Sequence, residues 1–213
     1  MKTQFLNWLT RWKSRKISKL VDETNNIDGF PILIHPKSIL TKGAKARLLV
    51  SDILIIGTEF GFASTPGKDQ SIINIGESAE LTISGKVNLA PGVRVKVITG
   101  GKLSIGNNTH VSGFSKIFAF KDISIGESCM ISWDVTIIDS DVHKIDGVEQ
   151  ICGRIIIGDR VWIGHGASIL KNVKIGDNVV IGAKSVVTKD IPANSVAVGN
   201  PARVIQQGIT WSP

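Results

Sequence analysis

The sequence predicts an all-β chain whose body is a parallel β-solenoid of six-residue repeats, with a short N-terminal helix and one projecting loop. Three observations carry this. Aliphatic residues recur at a spacing of six, and glycine directly follows many of them. The composition is rich in Gly (22) and in Val and Ile, with no Tyr and only 6% aromatics, as suits a repetitive β fold. Its hydrophobicity excludes a disordered chain. No apolar run approaches the roughly 18 residues that a membrane-crossing helix requires.

The first element is residues 1–28, a basic amphipathic segment. Within residues 1–20 stand Lys2, Arg11, Lys13, Arg15, Lys16 and Lys19 and no acid. Phe5, Trp8, Leu9 and Trp12 fall at helical spacing among them. An apolar helix face of this kind can cover the open first coil of a solenoid, which is the favoured use. It also suits peripheral contact with an anionic membrane through residues 1–20. Asn7, Thr10 and Arg11 interrupt the stretch and no small-residue cleavage site follows, which argues against a secretory signal. The rest of the chain holds 19 basic against 18 acidic residues, so the net charge of +7 belongs to this segment. No nucleic-acid partner is expected.

The second element is the solenoid, residues 29–192. Every sixth residue from Ile75 reads Ile75, Leu81, Val87, Val93, Thr99, Ile105, Val111 and Ile117. After a shift of two come Ile125, Ile131 and Ile137, and then Ile157, Ile163, Ile169, Ile175, Ile181 and Val187. A period of six fits neither an amphipathic helix nor an irregular meander. It fits short strands joined by corners, three to a coil, with the aliphatic residue inward. Glycine relieves crowding at the corner, where a positive φ is tolerated. Residues 75–192 make between five and six coils, a stack roughly 25–30 Å tall.

The stretch from Val161-Trp162-Ile163-Gly164 through Val187-Thr188-Lys189-Asp190-Ile191-Pro192, closed by Gly199-Asn200-Pro201-Ala202-Arg203-Val204-Ile205, resembles the hexapeptide-repeat acyltransferases. Within them it is similar to the maltose and galactoside O-acetyltransferase branch, over residues 72–206. The resemblance implies a left-handed parallel β-helix, a homotrimer and acetyl-CoA as co-substrate.

The projecting loop, at about residues 139–154, is the largest break in the repeat. It is polar, contains the turn signal Asp146-Gly147, and carries one histidine flanked by acids. Interruptions of a solenoid become loops on one face and tend to carry function. From the residues alone, His143 is equally an exposed loop residue or a base. The resemblance places the catalytic histidine there. An imidazole can take the proton of an attacking hydroxyl and pass it to a leaving thiolate. Asp141 or Asp139 would then fix its tautomer.

Of the other histidines, His35 reads as a surface or turn residue and His110 as an ordinary outward position. The resemblance puts His165 beside the donor groove. Cys129 occupies a small-residue corner position and Cys152 lies at the loop exit with no base in view, so both read as structural. Two cysteines make neither a disulfide framework nor a four-thiolate zinc site. No histidine pair has the spacing of the zinc carbonic anhydrases that share this fold, and no metal is expected. A reducing cytoplasmic setting follows as the default.

The last element is the tail, residues 193–213. The resemblance names Ala183, Thr188, Lys189 and Arg203 as donor contacts. Lys189 and Arg203 suit phosphate through charge-assisted hydrogen bonds, while Gln206 stands where the galactoside enzymes carry a second basic residue. Trp162 either stacks on the acceptor or packs a subunit interface. Residues 110–120 depart from the Asn-containing acceptor segment of the galactoside enzymes, which argues against a simple galactoside or maltose. The expectation is an acetyl-CoA-dependent O-acetyltransferase acting on a sugar or saccharide hydroxyl, of the kind that serves polysaccharide biosynthesis. N-acetylation of an amino sugar or small xenobiotic would use the same base and donor. A non-catalytic solenoid scaffold is the alternative from another class.

Overall fold

The structure is a computed structural model that describes residues 2–26, 30–58, 63–144 and 146–212, with side chains from Trp8 onward. Phe5 is therefore outside the described side chains. Helix α1 (Lys2–Ser18) precedes strands that wind in coils of three. The first coils are β1 (Ile32–Ile34), β2 (Ile39–Lys42) and β3 (Arg47–Val50), then β4 (Ile53–Ile56), β5 (Ile72–Ile75) and β6 (Glu80–Ile83). Next come β7 (Lys86–Leu89), β8 (Arg94–Val97) and β9 (Lys102–Ile105), then β10 (Thr109–Val111), β11 (Lys116–Ala119) and β12 (Asp122–Ile125). They continue as β13 (Met130–Ile131), β14 (Thr136–Ile138) and β15 (Ile155–Ile157), then β16 (Trp162–Ile163), β17 (Ser168–Ile169) and β18 (Lys174–Ile175). A last turn holds β19 (Val180–Ile181) and β20 (Val186–Val187), followed by β21 (Ser195–Gly199) and β22 (Ala202–Gln207).

Each coil adds one strand to each of three parallel sheets, the faces of a left-handed triangular prism. The first face begins with β1 and ends with β21, on which β22 folds back antiparallel. The second face runs from β2 to β20 and the third from β3 to β18. Inside, Ile163, Ile169, Ile175, Ile181 and Val187 are fully buried, one from each successive strand. No single strand buries its side chain; the stack does.

Two details differ from the sequence reading. The strict period of six holds only late in the chain: Ile163 pairs with Ile181, but Leu103 pairs with Ile123 and Val87 with Thr109, because earlier corners hold extra residues. Thr99, the odd member of the early run, sits at one of these exposed corners. The coils accordingly begin at Ile32, well before the recognisable repeat, and a second insertion separates β4 from β5.

The glycines also act differently. Gly106, Gly126 and Gly158 stack at one corner, and a Cβ on Gly106 would lie 2.6 Å from the backbone of Gly126. Close approach between coils demands glycine there, and positive φ does not. The left-handed residues of these three turns are Asn108, Ser128 and Arg160, at φ 54°, 53° and 51°.

Helix α1 covers the first coil with a mixed side, Lys13 and Ser14 beside Ile17. The Ser14 hydroxyl accepts the Ile34 N–H at 3.0 Å, on the open edge of β1. Lys13 Nζ donates to the carbonyls of Pro36 and Ser38 at 2.5 Å each, and burial holds this amine below its usual pKa. Ile17, Leu20 and Val21 pack against the core. Trp8 and Trp12 are 57% and 55% exposed. No helix among the described residues is long and apolar enough to cross a membrane.

Candidate functional site

The loop between β14 and β15 leaves the corner joining the second and third faces. Asp139 is fully buried at its base. Its carboxylate accepts the N–H groups of Phe120, Lys121 and Asp122 at 2.6, 2.8 and 2.8 Å, which locks the loop onto the coil before it. Gly153 N–H donates to the Asp139 carbonyl (2.8 Å) and Asp141 N–H to that of Ile151 (2.9 Å). Ser140 and Cys152 form an antiparallel bridge between these bonds, so the loop has a narrow two-stranded neck.

Lys171, at the same corner one coil on, reaches both arms of the neck. Its Nζ pairs with the Asp141 carboxylate at 2.6 Å and donates to the Gln150 carbonyl. Beyond the neck Val142, His143 and Lys144 are exposed. Val142 has φ 63°, a left-handed conformation that a β-branched residue rarely takes, and the turn brings the His143 N–H to the Asp141 carbonyl at 2.6 Å.

The Asp139 carboxylate accepts three backbone N–H groups, and the Asp141 carboxylate pairs through Oδ2 with Lys171. Lys171 was missed in the sequence. Its only signal is its corner position, one coil after the break.

Four of the five expected donor residues divide between two corners. Thr188 and Lys189 are exposed at the corner that carries the loop, beyond Lys171. Ala183 and His165 stack at the corner between the first and second faces. A Cβ on Gly164 would lie 2.6 Å from the Ala183 nitrogen, and Lys184 N–H donates to the His165 carbonyl at 2.9 Å. The His165 ring stacks on Trp133, centroids 5.1 Å apart and planes 13° from parallel. Strand β20 joins the two corners, so Ala183 and Thr188 flank the second face at one level.

Trp162 and Arg203 lie elsewhere. Trp162 is exposed on the first face, its Nε1 donating to Ser132 Oγ at 3.3 Å. Its ring stands 6.0 Å from that of Trp211, and with Met130 they line a hollow of about 240 Å³. Arg203 is on β22, its guanidinium donating to the Ala202 carbonyl at 2.8 Å. A single chain therefore sets the His143 loop, Lys171, Thr188 and Lys189 along one corner, and leaves Trp162 on another face.

His35 is a turn residue but a buried one, with Nδ1 accepting the Lys37 N–H at 3.2 Å. Cys129 is buried, its thiol donating to the Gly158 carbonyl at 3.2 Å, and burial pushes its pKa up to about 11. Such a thiol is no nucleophile near neutrality. Cys152 Sγ lies 3.3 Å from Ser140 Oγ inside the neck. Among the described residues no three His, Cys, Asp or Glu side chains gather as a metal site.

Three parallel sheets built one strand per coil make a three-faced β-helix, with strict six-residue turns in its later coils. The chain carries this repeat: residues 154–189 match the bacterial transferase hexapeptide family (six repeats). It is similar to the polysialic acid O-acetyltransferase of Escherichia coli O1:K1 / APEC, with 39% identity over 119 residues, 53% of this chain and 39% of that one. It is also similar to the galactoside O-acetyltransferase of Escherichia coli K12, with 41% identity over 113 residues, 51% of this chain and 55% of that one. The chain thus spans about half the length of these curated relatives, or less. Among solved structures, galactoside acetyltransferase in complex with coenzyme A superposes with a TM-score of 0.53 at 32% identity, over 61% of this chain and 66% of that one.

Proposed function

We propose that this protein is an acetyl-CoA-dependent O-acetyltransferase that acts on a saccharide hydroxyl as a homotrimer. The observation that carries the reading is the loop. A buried carboxylate and a half-buried lysine hold its neck, while the tip presents one exposed histidine at the corner shared with Thr188 and Lys189. The names of the relatives above support the donor and the saccharide class.

In this reading the His143 imidazole takes the acceptor hydroxyl proton as the oxygen attacks the thioester carbonyl. The tetrahedral adduct collapses, the C–S bond breaks, and the imidazolium returns the proton to the departing thiolate. The products are an acetyl ester and free coenzyme A. Asp139, Asp141 and Lys171 are positioning residues. Lys189 and Arg203 receive donor phosphates, with Ala183, Thr188 and His165 along the donor's path, and Trp162 meets the acceptor. A cytoplasmic location fits the donor and the two free thiols.

The His143→Ala protein tests the base. Its kcat should fall roughly 10²–10⁴-fold, while the rise in melting temperature with acetyl-CoA and the oligomeric mass persist. Undiminished turnover would remove His143 from the chemistry.

A second partner is supported by α1. The seal on the first coil uses Ser14 and Ile17, which leaves Trp8 and Trp12 exposed among Arg11, Arg15 and Lys16. Trp8 and Trp12 border an apolar hollow of about 530 Å³ with Phe30, Leu33 and Ile53. Amphipathic aromatics beside cations suit the surface of an anionic bilayer.

A further inference from the structure

Two faces of the prism treat charge in opposite ways. On the third face, the outward residue that opens each strand alternates in sign. Arg47 pairs in register with Glu80, Glu80 with Lys102, and Lys102 with Asp122. Arg47–Glu80 and Arg154–Asp122 close as ion pairs at 3.0 and 2.9 Å. That ladder is neutralised within the chain.

On the second face, Arg94 pairs in register with Lys116, and Lys96 follows two residues along β8. Like charges side by side in a sheet oppose its formation. Asp134 meets Lys116 at 3.4 Å, whereas Arg94 and Lys96 are exposed with no ion-pair partner among the described residues.

The same cations line a groove. Arg94, Lys116 and Lys68 border a hollow of about 500 Å³ with Phe114 and Trp133; its two acids are Asp134, paired with Lys116, and Asp69, which accepts the Thr65 N–H at 2.7 Å. Arg94 also borders a second hollow of about 410 Å³ with Lys96, Phe118 and Asn74, so the two adjoin at its side chain. The groove runs toward the loop. Lys96 pairs with Phe118, and Phe118 with Ile138, the last strand residue before Asp139. Two strand spacings, about 10 Å, separate Lys96 from the loop's point of departure.

We infer that the second face is an acceptor groove for an acidic saccharide, with carboxylates on Arg94, Lys96 and Lys116 and sugar rings against Phe118 and Trp133. The inference rests on the transferase reading above and specifies its substrate class. A second copy of the chain offers no substitute for the saccharide through its first face, where the outward residues Asn88, His110, Met130, Trp162 and Val180 include no acid.

The test is direct binding, measured calorimetrically at low ionic strength with the full chain. The probes are oligogalacturonate, oligosialate and, as neutral control, a maltooligosaccharide of equal length. The wild type should bind a carboxylated oligomer and lose affinity as salt is added. The Arg94→Gln/Lys96→Gln protein should bind it roughly tenfold more weakly with an unchanged melting temperature and an unchanged melting shift with acetyl-CoA. Equal binding of acidic and neutral oligomers, no binding of either acid, or full affinity in the double variant overturns the inference. So does tighter binding of polyuridylate, which would make the face a nucleic-acid groove. A change of oligomeric mass in the variant would make it a subunit contact instead. Loss of the acetyl-CoA shift in the wild type, with salt-sensitive oligosaccharide binding intact, keeps the groove and removes the transferase.

Discussion

His35 lies at the first corner of the first coil, with Gly67 of the β4–β5 insertion against its ring. Burial, then the nearby charges of Lys37 and Lys13, hold its pKa below the ordinary histidine value. The unfolded chain therefore binds a proton at this residue more readily than the folded one. Stability from this source is complete above the unfolded pKa of about 6.5 and is lost as pH falls below it. The urea midpoint of the wild type should drop between pH 7 and pH 5, and drop less in His35→Gln. Parallel pH profiles would contradict the assignment. Residues of this kind were barely legible in the sequence. His35-Pro36-Lys37 announces a turn but not the insertion that buries it. Asp139 and His143 look alike as polar members of one loop, and only the coil beneath separates the carboxylate that accepts three N–H bonds from the imidazole left free at the tip.

At the scale of elements, legibility followed repetition. The strands from β15 to β20 were readable because each corner is as short as a corner can be, and the aliphatic residue then returns every sixth place. Coils with longer corners blur that signal although they build the same core. The helix was readable as a helix but not in its orientation. Its large aromatics suggested the buried side, whereas the open edge of β1 needed an acceptor for the Ile34 N–H, which Ser14 supplies and an indole does not. With Trp8 and Trp12 more than half exposed, the Trp8→Ser/Trp12→Ser protein should stay folded. It should also lose at least about tenfold in affinity for phosphatidylglycerol vesicles, which the wild type should prefer over phosphatidylcholine. If the vesicles sediment both proteins alike, α1 serves the coil alone.

At the scale of the whole molecule, net charge misled where sidedness matters. Beyond residue 20 the chain is nearly neutral, yet alternation along each strand sends cations to one face and a balanced ladder to another. His143 projects from the corner of the second and third faces and Trp162 from the first. In a cyclic trimer each site would join the loop of one subunit to the first face of its neighbour. Mixed trimers then make a sharp prediction. His143→Ala and Trp162→Ala proteins, each nearly inactive alone, should regain activity when co-expressed in equal amounts. A site is intact when its loop comes from a Trp162→Ala subunit and its tryptophan from a His143→Ala subunit. Random assembly yields that pairing in about a quarter of sites. Recovery near that fraction, absent when separately assembled trimers are mixed without exchange, would place the acceptor between subunits. No recovery in verified mixed trimers would confine each site to one chain and return Trp162 to a packing role.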